Sequence, residues 1–411
     1  MQASTAAIHA GYDHDPVTGA TAVPVYQSAS YAFDSAEELA DVFSGHAPGH
    51  VYSRISNPTT HVLEQRLTAL EGGVGCIATS SGMAAIASVC MAILRPGDEI
   101  LAPRGIFGGT VSLFKHVLGH FGIQTLFVDA WDTRAFQKAV TQNTRMIFAE
   151  TITNPSMDVP DTLALAHIAA EANVPLVIDA TVTTPALARG SEYGADIVVH
   201  STTKFINGHG NAIGGAIIDT GKYDWIASPF GEVRDFARKA GSMAFLAYLR
   251  NRICRDLGGC PAPQNSFLML QGLETLHARM RLHCDNALRL AGYLKGHGAV
   301  RAVRYPGLPD SPYAELIRER FGGVGGAILT FDLTDRAAAF ASLNRFRLAK
   351  RMTNLGDART LVLHPASTIF AEYDAEERKA LGVSDQTVRV AVGIEDFEDL
   401  RDDFQQALTG T

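Results

Sequence analysis

The chain alternates short apolar runs with longer helix-like stretches between about residues 60 and 220. Such alternation is typical of α/β units built around parallel strands. Several runs end in a polar residue, and open α/β sheets bind ligands outside the carboxyl ends of their strands. The pattern therefore predicts a ligand site at one edge of a sheet. The predicted strands are Glu99–Leu101, Thr125–Val128, Met146–Ala149, Leu176–Ile178, Ile197–Val199 and Ala216–Ile218, and the polar ends are Asp129, Glu150, Asp179 and His200.

The two ends of the chain have different patterns. The first 60 residues are rich in Pro, Tyr, Ser and Gly and show little periodicity, so they cannot form a core of their own. After about residue 260 comes a long amphipathic stretch, residues 266–296, followed by β-like segments at 326–331 and 388–392 and by a terminal helix. We expect this last part to form a second, α+β domain.

Length and composition restrict the class of protein. At 411 residues the chain is longer than one hydrophobic core usually serves, which predicts more than one domain. A net charge of -8 without a Lys/Arg cluster argues against nucleic acid and membrane surfaces as partners. The N-terminus lacks the features of a signal peptide, and the 5 cysteines form no CxxC pair, so we expect a cytoplasmic protein. Because HExxH is absent, we expect no bound metal.

A Ser-x-Thr-Lys turn follows the predicted strand Ile197–Val199 and carries the most informative chemistry. A lysine there would be poorly solvated, which lowers the pKa of the Lys204 amine and makes it nucleophilic enough to form a Schiff base. The hydroxyls of Ser201 and Thr203 could donate hydrogen bonds to a phosphate. Asp179 ends a strand about 25 residues upstream, and a carboxylate against a pyridine nitrogen makes pyridoxal phosphate (PLP) a better electron sink. The pair predicts a PLP site.

A turn of small residues, Thr79–Ala85, runs into an apolar helix. The free amides and the dipole of a helix N-terminus form a phosphate site, although an ordinary N-cap would have a similar sequence. Residues 208–214 do not complete a dinucleotide fingerprint, because a predicted strand follows where a helix is needed. The P-loop and GxSxG motifs are also absent, so the sequence lacks the signatures of nucleotide hydrolases and serine esterases.

These elements together resemble the Cys/Met-metabolism, or trans-sulfuration, family of PLP-dependent enzymes. The resemblance extends from Ile8 to Glu395, and its motifs Tyr52–Thr59, Ser81–Met83, Phe107–Thr110, Asp179 and Ser201–Lys204 occur in the family's order. It implies an α/β fold of the aspartate-aminotransferase type (fold type I), with a mostly parallel central sheet and a smaller C-terminal α+β domain. The implied division is an arm over 1–60 that contacts the neighbouring subunit, a PLP domain over 61–260 and a C-terminal domain over 261–411. Homotetramers built as dimers of dimers, with shared sites, are also implied.

The resemblance assigns roles to individual residues. The implied catalytic residues are Lys204, Asp179 and Phe107, where Phe107 replaces the family's ring-stacking tyrosine and lacks its phenol. The implied cofactor ligands are Ser81, Gly82, Met83, Phe107, Asn154, Asp179, Ser201, Thr203 and Lys204, together with Tyr52 and Arg54 of the neighbouring subunit. The implied substrate-binding residues are Arg389, Ser367, Asn154 and Arg359.

The segment from Asn354 to Thr368 resembles O-acetylhomoserine sulfhydrylases. Cystathionine enzymes tend to carry Glu where Arg359 stands, and methionine gamma-lyases carry a reactive cysteine where Gly109 stands. The resemblance therefore implies γ-replacement on O-acetyl-L-homoserine with sulfide or a small thiol, in methionine biosynthesis. The sequence departs from those enzymes at Ile369–Glu372. An O-succinyl donor, cystathionine γ-synthase or γ-lyase activity, another nucleophile, or a catalytically silent PLP-binding protein stay open as alternatives.

Overall fold

The computed structural model describes residues 1–409 and contains one sheet of seven strands and one of five. In the larger sheet the strands lie in the order β1-β7-β6-β5-β4-β2-β3. Strand β7 is antiparallel to both neighbours, and the other pairs are parallel. The strands are β1 Gly75–Thr79, β2 Glu99–Pro103, β3 Gln124–Val128, β4 Thr144–Glu150, β5 Leu176–Asp179, β6 Ile197–His200 and β7 Gly215–Asp219.

This sheet confirms the six predicted strands and the mostly parallel arrangement. The interpretation of the whole region as parallel units was wrong for β7, which turns back along β6. Strand β1 was not predicted, because its apolar run covers only Cys76–Ala78 and its last residue, Thr79, was assigned to the turn of small residues that precedes an apolar helix. Both outer faces are covered by helices, since β-strands buried on two sides need apolar partners on each.

The smaller sheet has the order β10-β11-β12-β9-β8 and is antiparallel except between β10 and β11. Its strands β9 and β12 coincide with the two β-like segments predicted near residues 326–331 and 388–392. The other three strands have only two or three residues each, too few to show a period. The strands are β8 Ala302–Arg304, β9 Ile328–Asp332, β10 Lys350–Arg351, β11 Leu361–Leu363 and β12 Thr387–Ala391.

The helices surround the two sheets. The long amphipathic stretch forms two helices, α12 and α13, separated at Thr275, and the terminal helix is α17. The helices are α1 Ala3–His9, α2 Ala36–Ser44, α3 Pro58–Glu71, α4 Gly82–Ile93, α5 Gly108–Ser112, α6 Thr133–Ala139, α7 Thr162–Glu171, α8 Thr184–Leu187, α9 Gly231–Ala240, α10 Ala244–Tyr248, α11 Arg255–Leu257, α12 Pro263–Glu274, α13 Leu276–Lys295, α14 Ala314–Phe321, α15 Arg336–Arg345, α16 Ala375–Ala380 and α17 Phe397–Leu408.

The N-terminal region before α3 contributes little to the core. Helix α1 packs against α3 through Ala6 and Ala7, which are buried. Helix α2 has no buried residue, and its Phe43 is 66% exposed. An apolar side chain left in water on an amphipathic helix is available for contact with another surface. Within residues 1–409, no helix combines the length and the apolar character that crossing a membrane requires.

A buried side-chain carboxyl lies at the edge of the larger sheet where the parallel strands begin. Asp219, the last residue of β7, is 0% exposed. Its oxygens accept hydrogen bonds from the Gly221 amide at 2.8 Å and from the Trp225 indole at 3.0 Å. Burial is the largest cause that raises the pKa of this carboxyl to about 7. Ionising Asp219 is therefore unfavourable in the folded protein.

We expect Asp219→Asn to flatten the decline of stability at rising pH. Because the folded pKa of Asp219 lies above its unfolded value of about 3.9, its contribution is full below that value and is lost as pH rises through about 7. The unfolding free energy of the wild type should fall, relative to the variant, by on the order of 1–4 kcal/mol between pH 4 and 8. Denaturant unfolding at a series of pH values measures this difference, and parallel profiles would contradict the assignment.

Candidate active site

Three polar residues meet at the carboxyl ends of β4, β5 and β6. Glu150 lies opposite Asp179 in the register of β4 and β5, and Asp179 lies opposite the residue before His200 in that of β5 and β6. The predicted ligand edge of the sheet is therefore present in the structure. Asp129 is not part of this group, because it pairs with Arg104 at 3.2 Å on the surface, with 55% of its side chain exposed.

Lys204 follows β6 in a tight turn in which its amide donates to the Ser201 carbonyl at 3.2 Å. Its Nζ donates to the side-chain oxygen of Asn354 at 2.6 Å. Burial, followed by the positive charge of Arg389, lowers the pKa of the Lys204 amine to about 8. A substantial fraction of the amine is therefore neutral and nucleophilic near physiological pH.

Asp179 lies among groups that both oppose and support its ionisation. Burial raises the pKa of its carboxyl, while hydrogen bonds from Thr181 and the charge of His200 act in the opposite direction. The Thr181 amide donates to Asp179 Oδ1 at 2.9 Å. His200 is fully buried and contacts Glu71, also fully buried, at 2.6 Å. The protonated pyridine nitrogen of a cofactor beside Asp179 would favour the ionised form of the Asp179 carboxyl.

The N-terminus of α4 meets the turn that precedes Lys204. Ser81 caps the helix by accepting the Ala84 amide at 3.0 Å, and the amides of Gly82 and Met83 have no acceptor within the helix. A Cβ on Gly82 would lie 2.7 Å from the Ser201 Cβ, so only glycine allows this approach. The arrangement forms a cradle of backbone amides beside a serine hydroxyl, which suits a phosphate.

The other hydroxyls near this cradle hold the turn together. Thr181 Oγ1 accepts the Ser201 amide at 2.8 Å. Thr203 and Gly214 pair in both directions, since Thr203 Oγ1 donates to the Gly214 carbonyl at 3.1 Å and accepts the Gly214 amide at 3.0 Å. The ends of the segment from Thr203 to Gly214 are thereby joined.

Arg389 lies in the middle of β12 and is only 1% exposed. Its guanidinium donates to Asn154 Oδ1 at 3.3 Å and to the Asn354 carbonyl at 2.7 Å, and its Nε has no hydrogen-bond partner within residues 1–409. Burial lowers its pKa to about 10. Among the described side chains, no carboxylate forms an ion pair with it. A buried cation fixed by neutral oxygens is prepared for an anionic ligand.

Phe107 lies on the loop after β2, and Ser367 ends a short 3₁₀ turn, Pro365–Ser367, that follows β11. The Phe107 amide donates to Glu150 Oε1 at 2.7 Å, and a Cβ on Gly109 would lie 2.6 Å from the Phe107 ring. Ser367 is held by His364, whose Nδ1 lies 2.9 Å from the serine hydroxyl. The structure thus brings one aromatic ring and one serine, both predicted from the sequence, to fixed positions.

Three residues predicted for the site, Tyr52, Arg54 and Arg359, form their contacts outside the Lys204 cluster. Tyr52 is 43% exposed, and the Arg54 guanidinium lies 5.4 Å from the centre of its ring. Arg54 also donates to the Arg255 carbonyl. Arg359 exposes 63% of its side chain and pairs with the buried Asp357 at 3.1 Å. Tyr52, Arg54 and Arg359 are all exposed on the surface of the single chain.

Sequence reasoning missed Asn354 as a contact of Lys204. The two residues are 150 positions apart, and no period or motif connects them. Gly356 provides the only local signal, because its φ is +72° and a Cβ there would lie 2.4 Å from the Phe205 amide. A glycine in the left-handed region thus marks where this loop packs against the backbone beside Lys204.

A separate groove of about 590 Å³ lies between Tyr305 and Tyr313, and its lining does not include Lys204, Asp179 or Arg389.

The model of the family described as Cys/Met metabolism PLP-dependent enzyme matches residues 4–409. The chain belongs to this family. It is therefore a PLP-dependent enzyme of fold type I. It is 39% identical to O-acetyl-L-homoserine sulfhydrylase of Leptospira meyeri, over 98% of this chain and 96% of that one. It is also 39% identical to L-methionine gamma-lyase of Pseudomonas putida, over the same shares of the two chains.

A solved structure of a Campylobacter jejuni protein assigned as an O-acetylhomoserine (thiol)-lyase has a TM-score of 0.94 and 32% identity, covering 99% of this chain and 100% of that one. That protein carries a pyridoxyl-lysine monophosphate group. The geometry of this chain's own site also fits PLP. The amides at the start of α4 lie against Ser201 only because Gly82 has no Cβ, and the Lys204 amine, whose pKa burial lowers to about 8, follows in the same turn.

We expect Gly82→Ala to weaken PLP binding by about fivefold or more. The new methyl group would press on Ser201, whose Cα would lie 2.9 Å away, and would narrow the cradle. Overpacking of this kind costs about 1–3 kcal/mol. Absorbance titration of the apoenzyme with PLP measures the dissociation constant.

Gly292→Ala is the matched control for this substitution. Gly292 is exposed on α13, and in the part of the chain that the structure describes nothing lies within 4 Å of a Cβ placed there. Alanine also favours a helix. PLP affinity should be unchanged in this variant. Equal affinities for Gly82→Ala and the wild type would show that the cradle does not hold the phosphate.

Proposed function

We propose that the enzyme catalyses γ-replacement on O-acetyl-L-homoserine with sulfide or a small thiol. The Cγ–O bond of the substrate breaks, a Cγ–S bond forms, and acetate leaves with the electron pair of the C–O bond. The products are homocysteine, or its thioether, and acetate. The observation that carries the proposal is the placement of Lys204 and Arg389 around Asn354, which supports binding of an amino acid by its carboxylate beside a reactive amine.

Lys204 is the proposed attachment residue for PLP, and Asp179 the partner of its pyridine nitrogen. When bound, PLP supplies an electron sink for the negative charge that develops at Cα. Asp179 would keep the ring nitrogen protonated through a charge-assisted hydrogen bond. Ser81, Gly82, Met83, Ser201 and Thr203 are the proposed phosphate ligands, and Phe107 would stack on the ring.

Arg389 is the proposed ligand of the substrate carboxylate. Its planar guanidinium can donate two parallel hydrogen bonds, and its Nε, which has no partner within residues 1–409, supports this role. Asn154 orients the guanidinium through the contact at 3.3 Å, and Ser367 would hold the same end of the substrate with its backbone. An amino acid bound in this way presents its amino group toward Lys204.

Lys204 is also the proposed proton carrier. After the substrate amine has displaced it, the Lys204 amine can remove the Cα proton and then move protons at Cβ. A pKa lowered to about 8 supports this role, because both protonation states are populated near neutral pH. Phe107 has no phenol that could share the task.

Three residues favour replacement over elimination in this proposal. Phe107 stands where the family's tyrosine occurs, Gly109 where methionine gamma-lyases have cysteine, and Arg359 where cystathionine enzymes tend to have glutamate. Arg359 exposes 63% of its side chain, which leaves part of its guanidinium accessible to an anionic partner beside the pairing with Asp357. The L-methionine gamma-lyase at the same identity makes elimination the second candidate. An O-succinyl donor, cystathionine γ-synthase or γ-lyase activity, and other nucleophiles are the remaining alternatives.

The proposed assembly is a homotetramer, a dimer of dimers, in the cytoplasm. Residues 1–60 would form an arm on the neighbouring subunit, 61–260 the PLP domain and 261–411 the C-terminal domain. The exposure of Tyr52 and Arg54 supports a role for both in the neighbour's site. Methionine biosynthesis is the proposed pathway.

We expect the purified enzyme to convert O-acetyl-L-homoserine and sulfide to homocysteine faster than it forms 2-oxobutyrate. L-Cystathionine should be cleaved poorly, and Lys204→Ala should lose turnover by at least a thousandfold because both attachment and proton transfer are removed. Chromatography of the products measures both reactions. Efficient cleavage of cystathionine, with O-acetyl-L-homoserine left unreacted, would favour the lyase alternative.

We expect Arg54→Ala and Lys204→Ala homomers to be nearly inactive and their mixture to regain activity. In a mixed dimer one of the two sites would recover both native residues, so random exchange should restore about a quarter of the wild-type rate. Activity assays after denaturation and joint refolding test this. Absence of recovery, with mixed dimers demonstrated by mass spectrometry, would mean that Arg54 serves its own subunit.

A further inference from the structure

Glu150 is a buried carboxyl whose two oxygens both accept backbone amides. It is the last residue of β4 and only 5% exposed. Its Oε1 accepts the Phe107 amide at 2.7 Å, and its Oε2 accepts the Asn154 amide at 3.2 Å. One side chain thus joins the loop that follows β2 to the loop that follows β4.

The two amides lead to two different parts of the site. The Phe107 amide belongs to the residue proposed to stack on the cofactor ring. The Asn154 amide belongs to the residue whose side chain accepts a hydrogen bond from Arg389 at 3.3 Å. A shift of Glu150 would therefore move the aromatic ring and the guanidinium relative to each other.

We propose that Glu150 is a positioning residue that fixes the Asn154–Arg389 pair relative to Phe107 and so sets the orientation of the substrate carboxylate. The inference rests on the proposed function, which assigns Arg389 to that carboxylate. Glu150 does not act as a catalytic residue, because both oxygens are engaged by backbone amides. The position requires a carboxyl group, because each of the two backbone amides donates to its own oxygen. A glutamine side chain has only one oxygen, and its NH2 group cannot accept a hydrogen bond.

The surroundings of Glu150 support a positioning role. Burial, and then the neighbouring charge of Asp179, raise the pKa of its carboxyl well above the usual range. A second acid beside Asp179 is unfavourable for folding, so its presence requires a compensating contact. The two backbone amides supply that contact. The same loop is held from its other side, where the Tyr373 hydroxyl donates to the Gly108 carbonyl at 3.0 Å.

The experiment measures binding of glycine and methylamine to the holoenzyme through the change in visible absorbance of the cofactor. Glycine carries a carboxylate and methylamine does not, so the ratio of their affinities reports on carboxylate recognition. Glu150→Gln should keep the shorter bond to Phe107 and lose the longer one to Asn154. We expect it to weaken glycine binding about tenfold while methylamine changes less than twofold.

A double-mutant comparison tests whether Glu150 acts through Asn154. Asn154→Ala should weaken glycine binding as well, and adding Glu150→Gln to it should have no further effect. Additive effects, or equal weakening of glycine and methylamine, would overturn the proposal. Glu150→Asp, whose shorter carboxylate cannot reach both amides, should reproduce the selective loss if the glutamine variant does not fold.

Asp403→Asn is the matched control. Asp403 is a buried carboxyl that also accepts backbone amides, from Arg347, Leu348 and Ala349, but it lies in the α17 region. This variant should lose thermal stability and keep the ratio of glycine to methylamine affinity. Failure of the assignment of Arg389 to the substrate carboxylate has a separate signature, because the wild type itself would then bind glycine no better than methylamine. Failure of the γ-replacement reaction has another, because the wild type would then bind glycine selectively and form no homocysteine from O-acetyl-L-homoserine and sulfide.

Discussion

The site depends on two basic side chains that the fold removes from water and that, within residues 1–409, form no ion pair with a carboxylate. Lys204 and Arg389 are both desolvated, and the acceptors that hold them are the neutral oxygens of two asparagines. Burial of an uncompensated guanidinium is unfavourable, so the rest of the fold must supply the stability that retains it. Arg389 consequently remains available for an anionic ligand, and Lys204 remains partly neutral and nucleophilic. A salt bridge within the protein would have prevented both.

Close backbone approach makes this arrangement possible. Gly82 brings the first turn of α4 against Ser201, and Gly356 brings the loop of Asn354 against the peptide that follows Lys204. At both positions a Cβ would overlap with main-chain atoms closer than 3.0 Å. The phosphate cradle and the contact between Lys204 and Asn354 therefore each depend on a glycine that lets two backbone segments pack directly against each other.

The sequence predicted the parts of this fold that are governed by local pattern. Strands such as β4 and β6, of 7 and 4 residues, were predicted because each contains an apolar run that is long enough to be recognised in the sequence. The spacing of Asp179 and Lys204 was informative because both follow adjacent parallel strands. Asn354 could not be found in this way, since its contact with Lys204 joins segments from the two sheets, and the direction of β7 depends on pairing that no local signal encodes.

The reversal of β7 brings both ends of the lysine loop to one edge of the larger sheet. Because β7 begins at the same edge of the sheet where β6 ends, the chain leaves and re-enters the sheet at neighbouring points, joined by the reciprocal pairing of Thr203 and Gly214. The segment between them is buried at Phe205 and Ile206, whose carbonyls accept hydrogen bonds from Arg279 of α13 at 2.7 and 3.3 Å. The reactive lysine is therefore held by residues from distant parts of the chain, and a graft of this loop onto another scaffold would have to carry α13 and the loop of Asn354 with it.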